Sequence, residues 1–182
     1  MSTVLISDVT LRDGLQIVPR WVPTPDKLRI AHALPECGVR KIELTSFTSP
    51  KAIPSLADAD ELASLTARDP HVCYTALVPN LRGAQRALAA NMDELNCVFS
   101  ASEAHNQANL RMTIAQSLTQ LEQVLEAAGN TPVNVSLSTA FGCPFSGTVA
   151  SAHVIALMQE VQRMGARSGN LCETTETGST VD

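Results

Sequence analysis

The chain has 182 residues, 45% of them hydrophobic and 17% charged, with a formal net charge of −5. That length buries one sizeable core, and the composition is that of a globular domain rather than a disordered or fibrous chain. The acidic balance, with Lys and Arg scattered, excludes a basic footprint for nucleic acid, and no apolar run approaches the ~20 residues that cross a bilayer.

Short β-rich runs alternate with helical patterns along the chain. Strands are predicted over residues 3–9, 39–44, 72–78, 94–99, 133–139 and 169–174, the last weakened by Gly169 and Asn170. The first helix is predicted over 25–35, with Thr24 as its N-cap, Pro25 at N1, and Leu28, Ile30, Ala31 and Leu34 as its apolar positions. Helices over 55–66, 81–90, 110–128 and 149–164 follow. In the fourth, Leu118, Leu121, Val124 and Leu125 recur at helical spacing; in the fifth, Val154, Ile155, Met158 and Val161 share a face. Gly38, Gly129 and Gly165 stand just past helix ends, where a left-handed cap residue is wanted. This β-then-α alternation is the pattern of a parallel sheet, and by itself it fits a doubly wound sheet as well as a barrel.

The five cysteines are odd in number, widely spaced and without a C-x-x-C pair. This argues against a disulfide framework or zinc knuckle and for a reducing compartment, with the thiols as small buried apolar residues. A strand beginning by the third or fourth residue leaves no room for a signal or transit peptide, so a cytoplasmic location is expected.

The chemistry concentrates in DVTLRDGLQ, residues 8–16, behind the apolar Val4, Leu5 and Ile6. It places Arg12, a permanently charged fork for an oxyanion or carboxylate, beside Asp13, a hard oxygen ligand or base. Gly14 is expected to let the backbone turn tightly beside both. On composition alone the pair reads first as a solvated ion pair closing a strand. As a nine-residue whole, the segment resembles the first-strand motif of the metal-dependent acyl-CoA lyases and synthases built on TIM barrels, and within them the hydroxymethylglutaryl-CoA lyases. KIELTSFTSPKAIP (41–54), YTALVPNLRGAQRAL (74–88) and STAFGCPFSG (138–147) resemble the second-, third- and fifth-strand segments of that family, in order.

The resemblance implies an α/β fold of the (β/α)₈ barrel family. Asp13, Ser46, Asn80, Ser102 and Cys143, which follow strands, would then lie on the catalytic face. A full barrel takes ~250 residues, and only six strands are found here. One incomplete barrel domain over residues 1–182 is therefore expected, lacking strands seven and eight. The activity implied is cleavage of 3-hydroxy-3-methylglutaryl-CoA to acetoacetate and acetyl-CoA. The cofactor implied is a divalent metal, Mg²⁺ or Mn²⁺. The partners implied are an acyl-CoA substrate and, in a full-length form, a second copy of the chain, with no nucleic acid and no membrane.

Residue by residue, the resemblance gives catalytic roles to Arg12, Asp13 and Glu43, with Arg12 stabilising an enolate oxygen and Asp13 holding the metal. Glu43 reads equally as a buried partner for Arg12. Substrate contacts are implied at Arg12, Gln16, Ser46 and Glu173. Gln16 would orient the arginine or a metal-bound water, and Ser46 reads alternatively as a loop-capping hydroxyl. The family's H-x-H metal pair has no counterpart among His32, His71, His105 and His153, and its glycine-rich cysteine loop is missing. Cys143, in FGCPF, is set aside because its neighbours match the fifth-strand segment. GARSGN (165–170) echoes the family's asparagine loop. GARSGNLCETT nevertheless aligns on the sixth-strand segment, which puts Glu173 at the family's aspartate and Glu176 at its glycine. His105 and Asn106 read as an exposed helix start, Trp21 and Tyr74 as packing residues, and the last dozen residues as a frayed end. Two other readings stand beside the lyase. A condensing synthase or aldolase of the superfamily is disfavoured by Leu15 and by TSFTSPK; the other is a fragment without turnover.

Overall fold

The computed structural model describes residues 4–173. Six strands, β1 (Ser7–Asp8), β2 (Lys41–Ser46), β3 (Cys73–Val78), β4 (Glu94–Ser100), β5 (Val133–Ser138) and β6 (Ser168–Leu171), form one sheet in sequential order. The pairings β1–β2, β2–β3 and β5–β6 are parallel, so each crossover carries a helix. The helices are α1 (Thr24–Glu36), α2 (Ala59–Leu65), α3 (Leu81–Ala89), α4 (Glu103–Leu110), α5 (Ile114–Ala128) and α6 (Ser151–Arg163). Sequential parallel order with a helix between neighbours is the winding of a TIM barrel, of which the chain supplies six β/α units.

The chain divides into two compact units, Met1–Val78 with Arg82–Leu95, and Pro79–Leu81 with Asn96–Asp182. In the first, Ile42, Leu44, Tyr74, Ala76 and Val78 of β2 and β3 are buried together with Ala31 and Leu62 of α1 and α2. Glu43 pairs with Thr75 in register, and a register shift between Glu43 and Thr45 makes a bulge in β2 just before its end. A bulge re-aims the side chains that follow it; the hydroxyl of Thr45 beyond it is buried without a hydrogen-bond partner. In the second unit, Val133, Val135 and Leu137 of β5 are buried, as are Val154, Leu157 and Val161 of α6.

Several expectations are corrected. β1 is two residues long, and Val4, Leu5 and Ile6 before it are exposed, because no second strand pairs with them. Thr24 does not cap α1: Pro23 is the N-cap, and the Thr24 hydroxyl is given instead to Asp58 at 2.8 Å. The helix expected over 110–128 is α5, which begins four residues later, at Ile114; a separate helix, α4, ends at Leu110. Arg111 in the left-handed region breaks them apart, and a reciprocal Thr113–Gln116 capping box opens the second. Trp21 is half exposed rather than packed, whereas Tyr74 is buried as expected. β6 forms despite its composition. A Cβ on Gly169 would lie 2.0 Å from Met158 Cε of α6, so the glycine lets that methionine lie against the strand. Gly38, Gly129 and Gly165 have φ of +89°, +56° and +106°, as their place after helices requires. The end of the sixth predicted strand, Glu176 and the frayed tail lie outside the described residues.

Candidate active site

The motif after β1 is wound, not looped. The Asp8 carboxylate accepts from Thr10 N–H at 2.9 Å and Thr10 Oγ1 at 3.1 Å, a local turn that commits the chain to curl. The amides of Arg12, Asp13 and Gly14 then converge on the Val9 carbonyl at 3.2, 2.8 and 3.2 Å, and residues Thr10–Gly14 form a single π-helical turn. Leu11 and Leu15 anchor it in the core. Such wide turns occur frequently at functional sites. Gly14 does not make a tight turn. Its φ is not positive, and an added Cβ would meet Thr10 at an ordinary 3.8 Å.

The turn presents Arg12 to β2. Its Nε donates to Glu43 Oε2 at 2.5 Å and its Nη1 to Asp13 Oδ1 at 2.7 Å. Exposure rises across the triad: the side chain of Glu43 is 4% exposed, that of Arg12 17% and that of Asp13 63%. A buried carboxylate thus fixes the guanidinium, which fixes a carboxylate facing water. Charge-assisted bonds of this kind are the strong ones, and the planar fork carries five donors, so N–H groups remain for an anionic ligand. The Glu43–Arg12 pairing anticipated as an alternative is therefore present. Ser46 is buried, its Oγ 2.6 Å from Thr48 Oγ1 and accepting from Thr48 N–H at 3.3 Å, which is the loop-capping arrangement. Gln16 is exposed; Arg12 bonds to Glu43 and Asp13 rather than to it. Glu173 is exposed two residues beyond β6, in the second unit.

A hard divalent cation suits Asp13, whose Oδ1 is taken by Arg12 and whose carboxylate otherwise faces solvent. Among the described residues no group of three or more His, Cys, Asp and Glu side chains could enclose such an ion.

The sequence model of the HMGL-like (hydroxymethylglutaryl-CoA lyase-like) family matches residues 3–181. The chain belongs to this family. The HMGL-like chain is 41% identical to a hydroxymethylglutaryl-CoA lyase of Bacillus subtilis over 174 residues, 94% of this chain and 58% of that one. It is 36% identical to a 3-hydroxy-3-isohexenylglutaryl-CoA/hydroxymethylglutaryl-CoA lyase of Pseudomonas aeruginosa, covering 97% of this chain and 59% of that protein. Its fold matches the structure of an HMG-CoA lyase from Acinetobacter baumannii in complex with coenzyme A and 3-methylmalate. The TM-score is 0.94 and the identity 41%, over 98% of this chain and 60% of that one. The HMGL-like chain thus spans somewhat under two thirds of the length of these relatives.

Two features of the second unit escaped sequence reasoning. Asn106, expected at an exposed helix start, is fully buried. Its Oδ1 accepts from Ser100 N–H at 2.9 Å, and its Nδ2 donates to Met112 O at 2.9 Å and Ser117 Oγ at 2.8 Å, tying β4 to α5 across α4. Cys143 closes a hairpin in which its amide and that of Gly147 are exchanged at 2.8 Å. Burial works against its thiolate, but hydrogen bonds from the Ser102 and Ser146 side chains and from the Phe145 and Ser146 backbone outweigh that, pulling the thiol down to about 7. Cys97 has no such donors, and burial pushes it up to about 12. Burial also lowers the pKa of His105, whose Nδ1 lies 2.6 Å from Ser100 Oγ. Turn residues Gly142, Pro144 and Gly147 were the only sequence signal for the hairpin; none marks its donors. Of the five thiols only Cys97 and Cys143 are buried, and all five are free.

Proposed function

We propose that residues 1–182 form strands one to six of a single hydroxymethylglutaryl-CoA lyase domain, which cleaves 3-hydroxy-3-methylglutaryl-CoA to acetoacetate and acetyl-CoA. The observation that carries this reading is the Glu43–Arg12–Asp13 triad, an oriented guanidinium between a buried and a water-facing carboxylate. Cleavage of the C2–C3 bond requires a base to take the C3 hydroxyl proton; the C3 carbonyl of acetoacetate forms as the bond breaks, and its electron pair becomes the thioester enolate, which takes up a proton to give acetyl-CoA. Arg12, held by Glu43, meets the negative charge that develops on the enolate oxygen; preorganised charge of this kind is commonly the largest catalytic term. The Asp13 oxygen not engaged by Arg12 faces the reacting hydroxyl. Ser46 and Gln16, at the end of β2 and on the segment that follows β1, contact the substrate's acyl portion. A divalent cation, Mg²⁺ or Mn²⁺, supplies Lewis acidity and a template when bound, and Asp13 is the residue of this chain that would hold it. The five cysteines, none of them in a disulfide, support a protein of a reducing, cytoplasmic compartment acting on a diffusible acyl-CoA. The names of its relatives support the lyase over a synthase or aldolase.

The test is acetoacetate release. The chain, joined to the C-terminal part of the Bacillus subtilis relative that it does not cover, should cleave the thioester with Mg²⁺ or Mn²⁺. The 182 residues alone should not, because one carboxylate holds a cation weakly. In the joined enzyme, Arg12→Gln should cut turnover on the order of 10²-fold or more with little change in metal affinity, whereas Asp13→Ala should weaken both. Turnover by the 182-residue chain at the rate of a complete lyase would show the metal site misassigned. A folded joined chain without cleavage would leave the reading of a fragment without turnover.

A further inference from the structure

Lys27, on the inner face of α1, is fully buried. Its Nζ donates to Asp58 Oδ1 at 2.6 Å and to the Ser55 carbonyl at 2.8 Å, and lies 4.3 Å from the centre of the Trp21 ring. Asp58 is also buried, and its second oxygen accepts from Thr24 at 2.8 Å. These partners belong to two different segments. Trp21 lies on residues 15–23, which continue from the π-helical turn that carries Arg12 and Asp13. Ser55 and Asp58 lie on residues 47–58, which continue from Ser46. Ser55 joins the segments a second time, its hydroxyl donating to the Gln16 carbonyl at 3.5 Å. The contacts therefore close a circuit, from Trp21 to Lys27, through Ser55 to Gln16, and back along the chain to Trp21.

A single buried cation serving both segments is a costly way to fill a core. An apolar residue of the same size would pack there without desolvating a charge. What the ammonium adds is direction: it binds one carboxylate, one carbonyl and one ring face at fixed angles. We propose that Lys27 is a positioning residue that couples the segment after β1 to the loop after β2, so that the two walls of the substrate site move as one body. This rests on the reading of Arg12, Gln16 and Ser46 as substrate contacts, but the coupling itself is a property of the chain without substrate.

Trp21 is the sole tryptophan, so its fluorescence reports on one of the two segments alone. The other is read by hydrogen exchange at Ala52, Ile53 and Leu56, whose amides are bonded within the loop. Lys27→Met strands Asp58 and endangers folding, so Lys27→Met combined with Asp58→Asn is the informative variant, the asparagine oxygen still accepting from Thr24. In it, acrylamide quenching of Trp21 should rise about twofold, and exchange at Ala52, Ile53 and Leu56 about tenfold, with the amides of Cys73 and Asp93, bonded to the carbonyls of Arg40 and Tyr74, unchanged. Trp21→Ala, made on the opposite segment, should speed exchange at the same three loop amides. Loosening of one segment without the other, or an equal rise in the sheet, overturns the coupling. Because no substrate enters these measurements, their failure would leave the lyase reading intact, and failure of the joined chain to cleave would leave the coupling intact.

Discussion

Replacing Arg12 by Gln tests whether the triad is an element of the structure or a surface pair. Removing one partner of a fully buried ion pair costs about 3–5 kcal/mol, because the other charge is left desolvated; an exposed pair contributes about 0–1 kcal/mol. Arg12 sits between two such cases, with Glu43 4% exposed on one side and Asp13 63% exposed on the other. The Asp13 contact should therefore contribute almost nothing to stability, and the Glu43 contact nearly all. Arg12→Gln should cost about 2 kcal/mol, below the full buried value because Arg12 itself retains some water. Adding Glu43→Gln removes the stranded charge and should bring the double variant to within about 1 kcal/mol of the parent. Asp13→Asn alone should change stability by less than about 0.5 kcal/mol. Urea unfolding followed by circular dichroism measures all three, and Glu43→Gln alone closes the cycle on the coupling energy. A loss at Arg12→Gln of less than about 0.5 kcal/mol, or no recovery in the double variant, would refute the argument that Glu43 is a buried anchor for the guanidinium.

The Cys143 thiolate should appear through a midpoint near pH 7, read as the ultraviolet absorbance difference between the parent and Cys143→Ala across a pH series, while Cys97, pushed to about 12, should show no thiolate below the pH at which the fold opens, read likewise against Cys97→Ala. The linkage signs are opposite. The lowered Cys143 value contributes stability present above the unfolded value of 9.0 and lost as pH falls through about 7, whereas the raised Cys97 value contributes stability present below 9.0 and lost as pH rises toward 12. Asn106→Ala should cost about 2–3 kcal/mol by leaving the Ser100 amide and the Met112 carbonyl unsatisfied, and a loss below 1 kcal/mol in thermal or urea melts would show that water replaces it. With β1 and β6 as edges and Val4, Leu5 and Ile6 exposed, the 182-residue chain should associate above micromolar concentration; light scattering that shows a lasting monomer would contradict this.

The alternation of elements was legible because a parallel sheet buries both faces and writes itself as apolar runs, and, setting aside β6, which ends three residues early, four of the other five strands fall within two residues of their predicted ends. The exception, β1, shows the limit of that signal: Val4, Leu5 and Ile6 have strand composition, but a strand also needs a neighbour on the edge it presents. The start of α5 at Ile114 rather than at 110 was invisible because it depends on Arg111 adopting a left-handed conformation, beside which Asn106 reaches to the Met112 carbonyl. In the site, the resemblance singled out Arg12 and Glu43 and left their pairing as one of two readings; the structure pairs them across 31 positions. The winding of residues 10–14 and the engagement of Lys27 were not legible, since both depend on which distant carbonyl or carboxylate lies within reach. Gly169 was read as a weakness in β6 and is a fit to Met158, a distinction that only the opposing side chain can make.

The three amides gathered on one Val9 carbonyl make the length of the motif matter more than its composition. A π turn differs from an α turn by a single inserted residue, and each residue of a helix advances the side-chain direction by about 100°. Deleting one residue between Val9 and Leu15 would let the turn relax to ordinary helix, swinging the guanidinium away from β2 while leaving every residue type in place. Substitution in this segment can be gradual, but a one-residue deletion offers no intermediate, so divergence among relatives here should proceed by exchange of side chains at constant spacing.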